Sequence, residues 1–220
     1  MKPSGGNPYT VVAQAGRQQR GFVSSRQALV LLGLLFLTPP LVAWLMHLSA
    51  EHGWRPGGTT NQGTLIEPPR PLSLPAGLVG ATGAPIRQDF LGGKWTLLYI
   101  GGDACGEACR NSLYTLRQVR LAQGENIRRV QRLFLVTAAA AADLPEILAD
   151  YPDLAMALLS RAQTEAIAPL FSVDGTPMQG ADRVYLVDPL GNLMMYYRSD
   201  ADPRGMIQDL QRLLKYSHIG

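Results

Sequence analysis

Nineteen consecutive residues, Ala28 to Met46 (ALVLLGLLFLTPPLVAWLM), carry no charged side chain, and this run constrains the 220-residue chain more than any other feature. As an α-helix it would be about 28 Å long, close to the hydrocarbon thickness of a bilayer. A helix apolar on every side has no place in a small soluble domain, which could not cover it. Trp44 near its far end suits an interfacial aromatic anchor. Pro39 and Pro40 break a water-exposed helix, whereas within a membrane they kink it. The expectation is one transmembrane anchor over residues 27–48.

Charge orients this anchor. Residues 1–26 contain Lys2, Arg17, Arg20 and Arg26 and no acid, so by the positive-inside rule they form a cytoplasmic tail. A cleavable signal peptide cut near Leu48-Ser49-Ala50 is the alternative, but leader and apolar run both exceed the usual dimensions of one. Beyond the anchor, residues 50–220 hold 16 basic and 17 acidic side chains, so the overall charge of +3 belongs to the tail. Nucleic acid is therefore not an expected partner. The domain is large enough for one ordinary core.

Residues 49–63 lack apolar periodicity and read as a linker. Thr64 to Pro85, punctuated by prolines and glycines, suggests a lid of irregular strands. From Lys94 a strand–helix rhythm begins. Trp95–Ile100 (WTLLYI) is an apolar run bounded by glycines, as in a buried central strand. Gly101–Ala108 is a turn, and Cys109–Gln123 has Leu113, Leu116 and Val119 at helical spacing. Arg110, Arg117 and Arg120 are expected on its solvated face. A second strand covers Leu133–Val136, Asp143 starts a short helix with Glu146 as a capping box, and Leu154–Leu159 and Thr164–Leu170 read as strand and helix. Arg183–Val187 and Leu193–Tyr197 flank Asp188-Pro189-Leu190-Gly191-Asn192, a hairpin turn, and Asp202-Pro203 opens a final amphipathic helix. The domain over residues 64–220 is thus α/β with the outline of a thioredoxin-like fold.

The chain has two cysteines, Cys105 and Cys109, in the turn between the first central strand and its helix. Thiols spaced by four across a helix start can come within disulfide reach or converge on one soft metal ion. The helix N-terminus favours the thiolate that both chemistries need. Arg110 pushes the same way; Asp103 and Glu107 oppose it. A static disulfide closing so short a loop would be a weak structural device. Cys105, nearer the turn and therefore expected to be the more exposed, is the expected nucleophile and Cys109 the resolving thiol.

Four blocks in order, Asn61–Pro69 (NQGTLIEPP), Gly93–Tyr99 (GKWTLLY), Cys105-x-x-x-Cys109 and Tyr185–Gly191 (YLVDPLG), resemble the Sco/SenC family over roughly residues 60–215. Those are thioredoxin-like proteins on one membrane anchor that help to assemble the copper centre of cytochrome c oxidase. The resemblance implies a bacterial inner-membrane protein with its C-terminal domain in the periplasm, acting by thiol–disulfide exchange at Cys105 and Cys109. Its implied partners are an oxidase subunit or another assembly factor. Two departures bear on the site. The family's proline after the second cysteine is Arg110 here, and its copper-ligating histidine falls near Gly180. Cys105 and Cys109 remain the candidate Cu(I) ligands, with weaker binding expected because no imidazole joins them. His47 and His52 sit beside the anchor and His218 in the tail, and Met178, Met194 and Met195 are expected to pack rather than ligate. Thr176-Pro177 is the candidate for a thioredoxin-type cis-proline. A copper(I) chaperone with an incomplete site and a non-catalytic assembly scaffold stay open as alternatives.

Overall fold

The computed structural model describes residues 24–51, 60–80, 83–101, 105–137, 144–178 and 180–217. Packing divides the chain into two units, residues 1–59 and 60–220.

In the first unit, helix α1 runs Ser25–Glu51 with both prolines inside it. Ser24 and Gln27 cap its start reciprocally, with Gln27 Oε1 3.0 Å from the Ser24 amide and Ser24 Oγ 3.4 Å from the Gln27 amide. Just before the prolines, Thr38 Oγ1 donates to the Leu34 carbonyl at 2.5 Å. Ser25–Leu48 is long and apolar enough to cross a membrane, and its apolar side chains from Leu29 to Leu37 stand exposed.

The second unit is a seven-stranded mixed sheet in the order β1-β7-β6-β3-β4-β5-β2. These strands are β1 (Thr64–Pro71), β2 (Val79–Gly80), β3 (Trp95–Gly101), β4 (Val130–Thr137), β5 (Ala155–Leu159), β6 (Val184–Val187) and β7 (Asn192–Tyr197). The helices are α2 (Glu107–Leu121), α3 (Leu144–Asp150), α4 (Arg161–Phe171) and α5 (Pro203–Tyr216). Strands β3, β4 and β5 are parallel, while β6 and β7 return antiparallel. This is the thioredoxin-like α/β arrangement expected from the order of elements.

Every residue of β3 is buried, as its unbroken apolar run requires of a strand covered on both faces. On one face α2 and α5 bring Leu113, Leu116, Val119, Met206, Leu210 and Leu214 against Leu97, Tyr99 and Phe134. On the other, Ile167 and Phe171 of α4 pack with Leu98, Leu133 and Leu135. The hairpin turn forms as its residues dictate: Asp188 Oδ1 accepts from the amides of Leu190 and Asn192 at 2.9 and 2.8 Å, and Gly191 supplies a φ of +85°. Asp202 caps α5 through the Arg204 amide at 2.9 Å, with Pro203 in its first turn.

The segment Thr64–Pro85 is not a lid. It supplies both edges of the sheet, β1 against β7 and β2 against β5. Its prolines are compatible with that role because an edge strand leaves one row of amides unpaired and a bulge absorbs the rest. The register of β1 slips between Leu65 and Arg70, across Pro68 and Pro69, and the Glu67–Pro68 peptide is cis. Asp209 of α5, 4% exposed, secures the entry to β1 by accepting the amides of Gln62 and Gly63 at 2.8 and 2.9 Å.

The other elements follow the sequence with shifted ends. Helix α2 starts two residues before Cys109, at Glu107, and β4 reaches back to Val130. Asp143, expected to cap α3, lies outside the described residues. Thr176-Pro177 is not cis. Met178 and Met195 are buried at 4% and 2% exposure, in the core as expected.

Candidate functional site

The parallel strands of an open α/β sheet deliver their chain at one edge, where loops and helix N-termini meet. At that edge β3 ends in Gly101, where a Cβ would lie 2.6 Å from the Phe134 ring, so only glycine lets the strand close over that aromatic. The chain then reaches Cys105, Gly106 as N-cap, and α2. Cys105 stands one residue ahead of the N-cap and Cys109 is the third residue of the helix. They form a disulfide with a Cα–Cα distance of 5.1 Å. Sequence spacing therefore located the pair correctly, within the reach that a bridge requires.

Exposure does not distinguish the two sulfurs, contrary to the expectation that Cys105 is the more open. Both cysteines are 5% exposed, because Cys105 too folds into the cluster around Tyr99 and Leu113. What does differ is setting. Cys109 belongs to the buried stripe of α2 with Ser112, Leu113, Thr115, Leu116 and Val119. Cys105 lies beyond the helix end, toward which the first-turn amides and the positive end of the dipole point.

Arg110 lies on the solvated face of α2, as expected, but its guanidinium makes a two-pronged pair with Glu146 of α3, at 2.9 and 3.2 Å. The guanidinium holds the Glu146 carboxyl below its usual range. That partner offsets the positive charge Arg110 would offer the cysteines. Arg120 is likewise committed, to the Val130 carbonyl at 2.8 Å and to Asp153 at 2.7 Å. A pairing between helices with distant sequence positions has no signature in helical periodicity.

The core cluster that holds the two cysteines also contains Tyr99, whose polar partner sequence reasoning missed. Tyr99, fully buried in β3, donates to Asp182 Oδ1 at 2.8 Å. Burial, then the bond to Asp182, pushes the Tyr99 phenol well above its ordinary value, so it remains a donor. Asp182 has a φ of +43°, a backbone region unusual for any residue but glycine, and Gly180 two residues before it has +69°. Asp174 shares that backbone region at +51°, and a tyrosine in an apolar strand gives no hint in the sequence of its partner.

At Gly180, where the resembled family places its histidine, an added Cβ would meet no atom within 4 Å among the described residues beyond its chain neighbours. Among the described residues no three His, Cys, Asp or Glu side chains are grouped to hold a metal ion. His47 lies in α1, while His52 and His218 fall outside the described residues.

Comparison with known proteins agrees with this fold. A family model described as "Transmembrane-like, thioredoxin-like, C-terminal domain" matches residues 95–217. No curated protein matches the chain. Among solved structures, yeast Sco1 with copper bound is similar at 19% identity and a TM-score of 0.56, over 69% of this chain and 96% of that one. Arabidopsis thaliana ScoI with copper bound matches at 19% identity and a TM-score of 0.53, over 68% and 98%. Bradyrhizobium japonicum ScoI with copper bound matches at 21% identity and a TM-score of 0.50, over 67% and 98%. At such identities the likeness establishes the fold, shared with Sco-type copper-binding proteins. The chain belongs to the transmembrane-like, thioredoxin-like C-terminal domain family.

Proposed function

We propose that this chain is a membrane-anchored thiol–disulfide oxidoreductase that keeps the copper-site cysteines of a respiratory cytochrome oxidase reduced. The observation that carries this reading is the Cys105–Cys109 bridge, set between the central strand and the first turn of α2. With the pair reduced, the Cys105 thiolate attacks one sulfur of a client disulfide, forming a mixed disulfide and releasing the other client sulfur as thiolate. The Cys109 thiolate then attacks Cys105 Sγ, closing the bridge seen here and releasing the first client sulfur. Two electrons pass to the client, and an external dithiol must return them to the bridge. The first attack is assigned to Cys105 because it faces the amide-lined helix end, whereas Cys109 lies in the buried stripe.

The setting of this reaction is the outer face of a bacterial inner membrane, with residues 1–26 cytoplasmic. The one-sided charge around α1 motivates that orientation. A C-terminal reporter fusion should be active only outside the cytoplasm; activity restricted to the cytoplasm would overturn it.

A second reading, Cu(I) carriage, is favoured by the copper bound in the structural neighbours. Two thiolates whose Cα atoms are 5.1 Å apart can converge on one soft ion, but they leave its shell open to competing thiols. One titration of the reduced full-length chain in detergent separates the readings. Rapid thiol alkylation well below pH 8, with Cu(I) lost to millimolar glutathione, supports redox exchange. Stoichiometric Cu(I) retained against glutathione supports carriage instead, and unreactive thiols that hold no copper leave an assembly scaffold.

A further inference from the structure

A cavity of about 320 Å³ opens one helical turn along α2 from Cys109. Its polar wall is Asn111, Ser112 and Thr115, and its apolar wall includes Val184 and Met206. It lies at the cysteine edge of the sheet. Val184 opens β6 beside Tyr99, two residues from the end of β3, and Tyr197, the last residue of β7, pairs with Val184. The connection from β7 to α5 closes the remaining side. There Arg198 and Asp200 pair at 3.2 Å across the rim, each more than two-thirds exposed. Tyr114, also lining the cavity, is 55% exposed to solvent. An exposed aromatic beside a cavity of mixed polarity marks a contact surface more than a folding need.

The geometry points to this cavity as a subsite for one side chain of the client, an amide of the glutamine or asparagine type. This rests on the exchange reading above. A client segment must lie extended to offer its sulfur to the pair. In an extended chain, residues two apart face the same side and are separated by about 6.6–6.8 Å. A client cysteine facing the bridge therefore directs the residue two places away toward the same surface, about as far along as the cavity lies from Cys109 along α2.

The lining selects the chemistry. Asn111 offers both a donor and an acceptor, and Ser112 and Thr115 add hydroxyls, a match for an amide that needs both. Val184 and Met206 suit the methylene stem. A charged side chain would shed water without meeting a net opposite charge, because Arg198 and Asp200 offset each other. An aliphatic one would cover polar groups and leave them without partners.

The experiment uses the reduced full-length chain in detergent and synthetic peptides whose single cysteine carries glutathione. The residue two places after that cysteine is Gln, Leu or Glu, and the release of free peptide thiol is followed. The expected result is a single-turnover second-order rate constant for the Gln peptide roughly fivefold or more above the Leu and Glu peptides, the equivalent of about one net hydrogen bond. In Asn111→Leu and in Thr115→Val the Gln-to-Leu ratio should fall toward one. Because the ratio is taken within each variant, partial loss of folded protein does not affect it. Equal rates for all peptides with the native chain, alongside normal reduction of glutathione disulfide, would refute the subsite and leave the exchange reading intact. A Gln preference that survives both substitutions would also refute it. A chain that reduces neither peptides nor glutathione disulfide would refute the exchange reading and the subsite with it.

Discussion

Replacing Cys105 with serine is expected to lower client-disulfide reduction by more than about 10³-fold, the scale on which loss of a nucleophile acts. A serine hydroxyl at that place stays protonated at neutral pH, and the helix end has no anion to stabilise. Cys109→Ser should behave differently. Cys105 can still attack, but nothing resolves the mixed disulfide, so turnover stops with the client linked covalently to Cys105. The two variants separate roles that exposure leaves undecided, since both cysteines are 5% exposed. Non-reducing electrophoresis followed by mass spectrometry of the linked product is the measurement. Trapping by Cys105→Ser instead of Cys109→Ser would reverse the assignment. Full turnover by the double variant would remove the pair from the mechanism altogether.

How much of this site was legible in the sequence depends on how local its causes are. The WTLLYI run declares a buried strand by itself, and the Asp188–Asn192 turn is built from side chain to backbone bonds inside five residues. The disulfide needs only a strand end, a helix start and a spacing of four. Distant pairing is where the reading failed. Tyr99 meets Asp182 across 83 positions, and Arg110 meets Glu146 across 36. Neither is encoded in a period or a turn. Thr64–Pro85 was misread for a related reason: short segments rich in proline lack the alternation of a strand, yet an edge accepts them once the central sheet supplies their partners. Likewise β4 extends beyond the apolar run Leu133–Val136, because the polar residues Gln131 and Arg132 also lie within the strand.

Arg132 is also where the largest stability effect is expected. It sits in β4 with its side chain fully buried, on the same face as Val130 and Phe134. Its Nη2 pairs with Asp153 Oδ1, and its guanidinium stands 5.9 Å from the Tyr151 ring centroid. Its Nε and Nη1 are buried with no acceptor among the described residues. Burial lowers the pKa of Arg132, Asp153 draws it back up, and Arg120 and Arg117 lower it further. Asp153 is thus the group that makes this buried cation tolerable, and it serves Arg120 as well. Removing one partner of such a pair strands a charge, at a cost of about 3–5 kcal/mol. Asp153 is itself 47% exposed, so water can replace part of its effect and the lower end, about 3 kcal/mol, is expected for Asp153→Ala. Arg132→Met should be near neutral or stabilising, since it removes the orphaned donors and leaves Asp153 solvated and paired with Arg120. In the Arg132→Met background, Asp153→Ala should then cost less than about 1 kcal/mol, a coupling that a double-mutant cycle reads directly. Chemical denaturation of the full-length chain in detergent, followed by near-ultraviolet circular dichroism, measures all four corners. If Asp153→Ala costs the same in both backgrounds, its role lies with Arg120 on the surface and the buried arginine is held by something other than this carboxylate.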